Sequence, residues 1–329
     1  MSNEHLRQNL RAMVRGSYDL QKLRIQTGLR LVATLKTQMG IQPGKKETEA
    51  AIEKEAAMIL GKVRADLSLI SDWAAENAVA IKPKTFKGQG IITEYSEYLL
   101  AQNYLTLHEQ EVSQFALLQG LLKEFPIYTE FLDGVKGCGP AMGAVLISEI
   151  DIHKARYPSS LWMYAGLDVA SDGRGRTRQK EHLVKVQYQN KDKKMVERDS
   201  ITFNPFLKTK LMGVLAAGIL KAGIRNEKTV TVDAVTGKKV REVVLDAAGG
   251  KIQTVSSPYA QIYLDYKNRL NNRPDLDTAT DARKHNMATR YMIKMFLIDL
   301  HREWRALEGL EASAPYHVAK LGMRDHYAA

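Results

Sequence analysis

The sequence predicts a mainly α-helical protein in two parts. Residues 1–125 read as a bundle or coiled coil of long helices, and residues 126–329 as an α domain with a helix-hairpin-helix and two small β-hairpin insertions. Three observations carry this expectation. Apolar side chains recur at three- and four-residue steps through most of the first 125 residues, the period that gathers them on one helical face. Apolar–polar alternation, the strand signature, is confined to two short stretches near residues 183–202 and 229–244. Between two apolar helical segments lies Gly137-Cys-Gly-Pro140, a turn followed by a helix opener.

Taken in order, Leu6, Leu10, Met13, Leu20, Thr27, Leu31 and Leu35 put a helix over residues 4–39, which Gly40-Ile-Gln-Pro-Gly44 stops. Ile52, Ala56, Ile59, Val63, Leu67 and Ile70 form the stripe of a second helix over 46–79. A basic loop from Lys82 to Gly90 leads to a third helix over 91–125, ended by Pro126. Three helices this long, joined by short loops, pack as a bundle or extend as a coiled coil. Beyond the glycine hairpin, a helix runs over 141–150.

A first strand pair turns near residues 190–193, and Asn204-Pro205 then opens a helix over 206–222 that faces Leu211, Val214, Leu215 and Ile219 inward. The second strand pair turns at Thr236-Gly237. Pro258 opens a helix with Tyr259, Ile262, Tyr263 and Tyr266 at helical spacing, and Asn271 to Asp275 breaks it. The last long helix, over 280–307, is apolar on most sides and is expected at the centre of the C-terminal core. A short tail over 315–322 reads as one docked helix.

With 329 residues and 44% hydrophobic content the chain can bury a sizeable core in more than one unit. Its formal net charge of +11 suits a polyanionic partner, and serves solubility equally well. One cysteine excludes an internal disulfide and any cysteine-based zinc cluster, and Cys138 reads as a packing residue. No apolar run approaches membrane-spanning length and the N-terminus is charged, so a cytoplasmic location without membrane contact is expected.

The glycine hairpin has a chemistry of its own. Glycines at 137 and 139 permit a tight turn, and a helix that starts at Pro140 turns its free N–H groups toward whatever approaches its N-terminus. An anion such as a phosphate fits there, so Lys136, Gly137, Gly139, Met142 and Gly143 are candidate nucleic-acid contacts. Arg174, Arg176, Arg178, Lys180 and Lys185 alternate with small or polar residues, as a phosphate-binding loop does, and arginine forks match phosphate oxygens in two-point contacts. A plain interhelical turn and a solvated loop are the alternatives.

Gly137-Cys-Gly-Pro-Ala-Met-Gly-Ala144, Tyr164-Ala-Gly-Leu167 and the basic run after Ser171 together resemble the C-terminal domain of the Piv-type DNA-inversion recombinases and of the insertion-sequence transposases that include the bridge-RNA-guided recombinases. The resemblance covers roughly residues 105–223. It implies DNA as partner, alone or with a guide or structural RNA, and a serine nucleophile in the loop after Gly-Leu, the place that Ser171 holds here. A homo-oligomer is expected from the long N-terminal helices, which one chain covers only in part, and from recombination between two DNA ends. The alternative for Ser171 is a loop serine that caps a turn. Those transposases begin with a ribonuclease-H-like domain whose Asp-Glu-Asp-Asp set holds two divalent metals. This N-terminus shows no strand alternation, so the metal-binding half of the machinery is expected to be missing. Attack on a phosphodiester would still call for charge neutralisation beyond three arginines, with Mg2+ the natural cofactor. Glu149, Asp151, Asp168 and Asp172 are the carboxylates near enough in sequence to hold one, while no metal site follows from spacing. Two functions therefore compete: a transposase with serine-dependent strand exchange, and a nucleic-acid-binding derivative without catalysis. A third, a protein-interaction bundle with no nucleic acid, is opposed by the +11 charge and the glycine hairpin.

Overall fold

The computed structural model describes residues 3–38, 49–191, 193–232, 239–244 and 252–312. The chain is mainly helical, with small two-stranded antiparallel sheets, and it divides into two compact units, residues 12–118 and residues 1–11 with 119–329.

Three long helices build the first unit: α1 (Asn3–Gln38, whose first turns belong to the second unit), α2 (Glu49–Glu76) and α3 (Tyr95–Leu122). Leu31, Val32 and Leu35 from α1 meet Ile59, Val63, Leu67 and Ile70 from α2 and Ala101 and Tyr104 from α3 in one core. Each fully buried aliphatic side chain of this kind contributes about 1.5–3 kcal/mol by leaving water. The loop between α2 and α3 is tied down by two acids. Asp66 Oδ2 accepts from Ile91 N at 2.8 Å, and Glu97 Oε2 accepts from Thr93 N and Glu94 N at 2.8 and 3.0 Å, which caps α3. Buried Glu111 is matched by Arg24 and Gln21 of α1. The stop near residues 40–44 and the tail over 315–322 lie outside the described residues.

The second unit starts with a short helix α4 (Pro126–Glu130), a 3-10 turn (Leu132–Gly134), and the hairpin into α5 (Pro140–Glu149). α6 (Pro158–Tyr164) follows, then the exposed antiparallel pair β1 (Val184–Gln189) and β2 (Met195–Ser200), in register from Val184 opposite Ser200 to Gln189 opposite Met195. α7 (Pro205–Thr209) runs through a π-helical stretch, Lys210–Leu215, into α8 (Ala216–Gly223). The extra residue per turn shifts the helical phase. Leu211, Leu215 and Ile219 are buried as expected, but Val214 turns outward and is 47% exposed.

β4 (Lys228–Val232) pairs with β5 (Lys239–Val243), as the alternation predicts; the turn at 236–237 lies outside the described residues. A further pair, β3 (Ile224–Asn226) with β6 (Gln253–Val255), closes the base of this insertion. Three residues per strand are too few for alternation to register in a sequence. α9 (Pro258–Asn271), capped by Ser257, packs on α10 (Asp281–Leu307), capped by Thr280. Phe296, Leu297, Met292, Ile293 and Leu300 of α10 are buried, which places this helix in the core.

Candidate functional site

Two features of the sequence meet at α10. The segment after α6 folds back on itself: Gly173 N donates to Ala170 O at 3.0 Å, Ala170 N to Arg174 O at 2.7 Å, and Val169 bridges Gly175. Gly173 sits at φ +74, the left-handed conformation that closes such a turn. Gly175 then lies against the guanidinium of Arg290 on α10, in the space that a side chain at 175 would need. The turn and the first half of α10 enclose an open cleft of about 750 Å3.

Four cations line the cleft, Arg174 from the turn and Arg283, Arg290 and Lys294 from α10, and no carboxylate does among the described residues. Burial pushes Arg290 and Lys294 below their ordinary pKa values, and for Lys294 the charge of Arg290 adds to it, with Asp168 opposing in both. Beside them, burial first and then Arg290 push Lys208 down to about 8. Lys294 Nζ rests 5.1 Å from the Trp162 ring centroid, and Trp162 Nε1 donates to the Lys294 backbone O at 3.3 Å. Two aromatic rings also line the cleft. Tyr266 of α9 and Tyr291 of α10 stack at 4.1 Å and 11°, and Arg269 lies 4.6 and 5.9 Å from their centroids.

Behind the turn, Asp168 is the counter-charge. Its Oδ2 accepts from Arg176 Nε at 2.8 Å, while Oδ1 is buried without a hydrogen-bond partner. Lys208 Nζ donates to Arg176 O. His182 is 4% exposed and its ring is fully committed: Nδ1 accepts from Thr177 N at 2.9 Å, which leaves the proton on Nε2 to donate to Asp172 Oδ2 at 3.2 Å.

The candidate residues from the sequence separate in this setting. Arg174 lines the cleft, and Ser171 is exposed at the tip of the turn. Arg176 is turned inward to Asp168. Arg178 and Lys180 are exposed beyond the turn, and Lys185 stands on the β1–β2 pair, 3.7 Å from Glu197. In the glycine hairpin, Lys136 and Gly139 are exposed. Met142 is 4% exposed and Gly143 is pressed against the Tyr128 ring, so these two face the interior and not a phosphate. Their N–H groups are also taken, both bonding Gly139 O, at 2.9 and 3.0 Å. Gly137, at φ +91, touches the backbone of Gly218, so its role is close packing of the hairpin on α8. Cys138 is buried, which pushes its thiol up to about 12 and keeps it inert.

The four carboxylates do not converge. Glu149 is held by Asn204 Nδ2 at 2.6 Å and Arg11 at 3.4 Å, and Asp151 by Lys154 at 3.0 Å and Arg7 at 3.6 Å. Asp168 has Arg176, and Asp172 has His182. Among the described residues no group of three or more His, Cys, Asp or Glu is placed to hold a metal. Arg176, Arg290 and Lys294 around Asp168 repel a divalent ion and already neutralise the carboxylate, so these surroundings do not fit Mg2+.

Arg283, Arg290 and Lys294 are the residues that sequence reasoning missed. They recur at seven- and four-residue steps, with apolar Met287 between them, on one side of a helix read only for its apolar faces. His285 beside them is a structural residue, its Nδ1 2.7 Å from the Tyr263 hydroxyl. No protein family, curated protein or solved structure matches the chain.

Proposed function

We propose that this chain is a nucleic-acid-binding protein of the transposase and recombinase kind, gripping phosphate backbone in the cleft between the 169–175 turn and α10. The observation that carries the reading is the set of four cations, Arg174, Arg283, Arg290 and Lys294, around one cleft with no lining carboxylate among the described residues. Of the four, Arg290 and Lys294 are half-buried and the charge of Arg290 weighs on Lys294, a strain that a polyanion relieves. The formal charge of +11 supports the same partner at long range, and the Gly137–Ala144 and Tyr164–Leu167 motifs support DNA at a mobile-element junction, with or without an RNA.

Every phosphate that a protein cation neutralises releases counterions, which sets the test. Replacing Arg290 and Lys294 with Met is expected to flatten the plot of log affinity against log salt by about 0.7–0.9 for each phosphate no longer neutralised. An unchanged slope in a folded variant would remove the cleft from the interface.

Binding without cleavage is the better-supported form of this reading. Both ring nitrogens of His182 are committed, to Thr177 and Asp172, so the histidine nearest Ser171 in sequence is not available as its general base. Strand exchange through Ser171 remains the second form, supported by its exposed position on the turn that bears Arg174. A nicked suicide duplex separates the two. The binding form predicts no covalent protein–DNA adduct, and an adduct lost in Ser171→Ala would establish the other.

A further inference from the structure

We propose that the cleft takes one unpaired nucleotide, with its base added to the Tyr266–Tyr291 stack and its phosphate between Arg290 and Lys294. This rests on the nucleic-acid reading and names the form of nucleic acid that the cleft accepts.

Size decides first. A volume of about 750 Å3 is that of a pocket for a drug-sized molecule, in the range of roughly 300–1,000 Å3. One helical turn of duplex is about 34–36 Å long and does not enter such a space. A nucleotide swung out of its strand does.

The walls then match the two halves of a nucleotide. Tyr266 and Tyr291 are already stacked at 4.1 Å and 11°, and the ring of a base adds to that stack through the same offset-face contact. Any base has such a face, so this contact tolerates sequence. Arg269 lies over the Tyr266 ring, 4.6 Å from its centroid, and adds attraction for electron-rich rings. On α10, Arg290 and Lys294 are four residues apart and therefore on one face, both lining the cleft. Gly175 makes the phosphate end possible, because a side chain there would displace the Arg290 guanidinium. Asn286, also in the lining, offers an amide donor and acceptor to a base edge, which a paired base would already have used.

The test uses the full-length protein and three DNA probes that contain 2-aminopurine: a single strand, a perfect duplex, and the same duplex with the fluorescent base left unpaired as a bulge. Stacking on the tyrosines is expected to quench the single-strand and bulge probes and to leave the perfect duplex unaffected. Tyr266→Leu should weaken binding of the two unpaired probes by roughly 5- to 150-fold, the loss of one base–aromatic stack. Tyr266→Phe should retain both quenching and affinity, and serves as the folded control. Absence of quenching, or an equal loss for paired and unpaired probes in Tyr266→Leu, overturns the proposal while leaving nucleic-acid binding intact. If the wild-type protein binds none of the three probes, the nucleic-acid reading falls and the proposal falls with it.

Discussion

Two glycines two positions apart, Gly137 and Gly139, have opposite requirements. Gly137 combines φ +91 with a backbone contact to Gly218, so an alanine there is strained in conformation and collides with α8. Gly137→Ala is expected to cost about 2–3 kcal/mol, read as a lowered denaturation midpoint, from the disfavoured dihedral and the forced shift together. Gly139 has φ −71 and ψ 170 and open space where a Cβ would stand. Gly139→Ala is therefore expected to change stability by less than about 0.5 kcal/mol, because restriction of the unfolded chain is offset by the poorer N-cap that alanine makes for α5. If both variants were equally destabilised, close packing on Gly218 would not be the reason for glycine at 137. The motif reads as one unit in the sequence, yet its two glycines do different things. At the same scale, Met142 is a core residue and Arg174 a cleft residue, a distinction that depends on which way a backbone turns and that no spacing carries.

Among the elements, the helices were the legible part, and the reason is periodicity. Leu31, Leu35, Ile59, Val63, Leu67 and Ile70 fall on the stripes that the sequence displays, and all six are buried. Caps set the ends: Thr280 accepts from Arg283 N at 3.3 Å to start α10, and Asn204 accepts from Leu207 N at 3.1 Å to start α7. Where the period itself changes, the reading failed. The π-helical stretch Lys210–Leu215 moved Val214 to the outside, and nothing in the residues from 206 to 222 marks such a stretch. The cleft was half legible. Arg174 belonged to a visible basic run, whereas Arg283, Arg290 and Lys294 were hidden inside a helix whose apolar faces dominated the pattern. Their convergence with the turn depends on Gly175 and on how α10 packs beside α9, which is long-range information. The four carboxylates show the converse: proximity in sequence from Glu149 to Asp172 did not become proximity of function, since each is held by a different cation or histidine.

At the scale of the whole molecule, the chain carries an excess of positive charge and Lys208, Arg290 and Lys294 are partly buried, which links protons to both stability and binding. Lys208, pushed down to about 8 by burial and by Arg290, is the clearest reporter. In the unfolded chain its amine has an ordinary lysine pKa near 10.5. Between these two values the unfolded state holds more proton than the folded one, so stability rises with pH across that window. The destabilising charge is fully present below about 8 and is relieved above it. Nucleic acid reverses the effect, because a phosphate near Arg290 favours the charged amine and raises its pKa in the complex. Affinity is therefore expected to fall as pH rises from 8 toward 10, while the free protein gains stability over the same range. Lys208→Met should flatten both trends. Parallel titrations of thermal midpoint and of duplex or single-strand affinity, at fixed salt, measure the two slopes. Slopes of the same sign in the wild-type protein, or slopes unchanged in Lys208→Met, would show that the cation cluster around Asp168 is not electrically coupled to the bound phosphate.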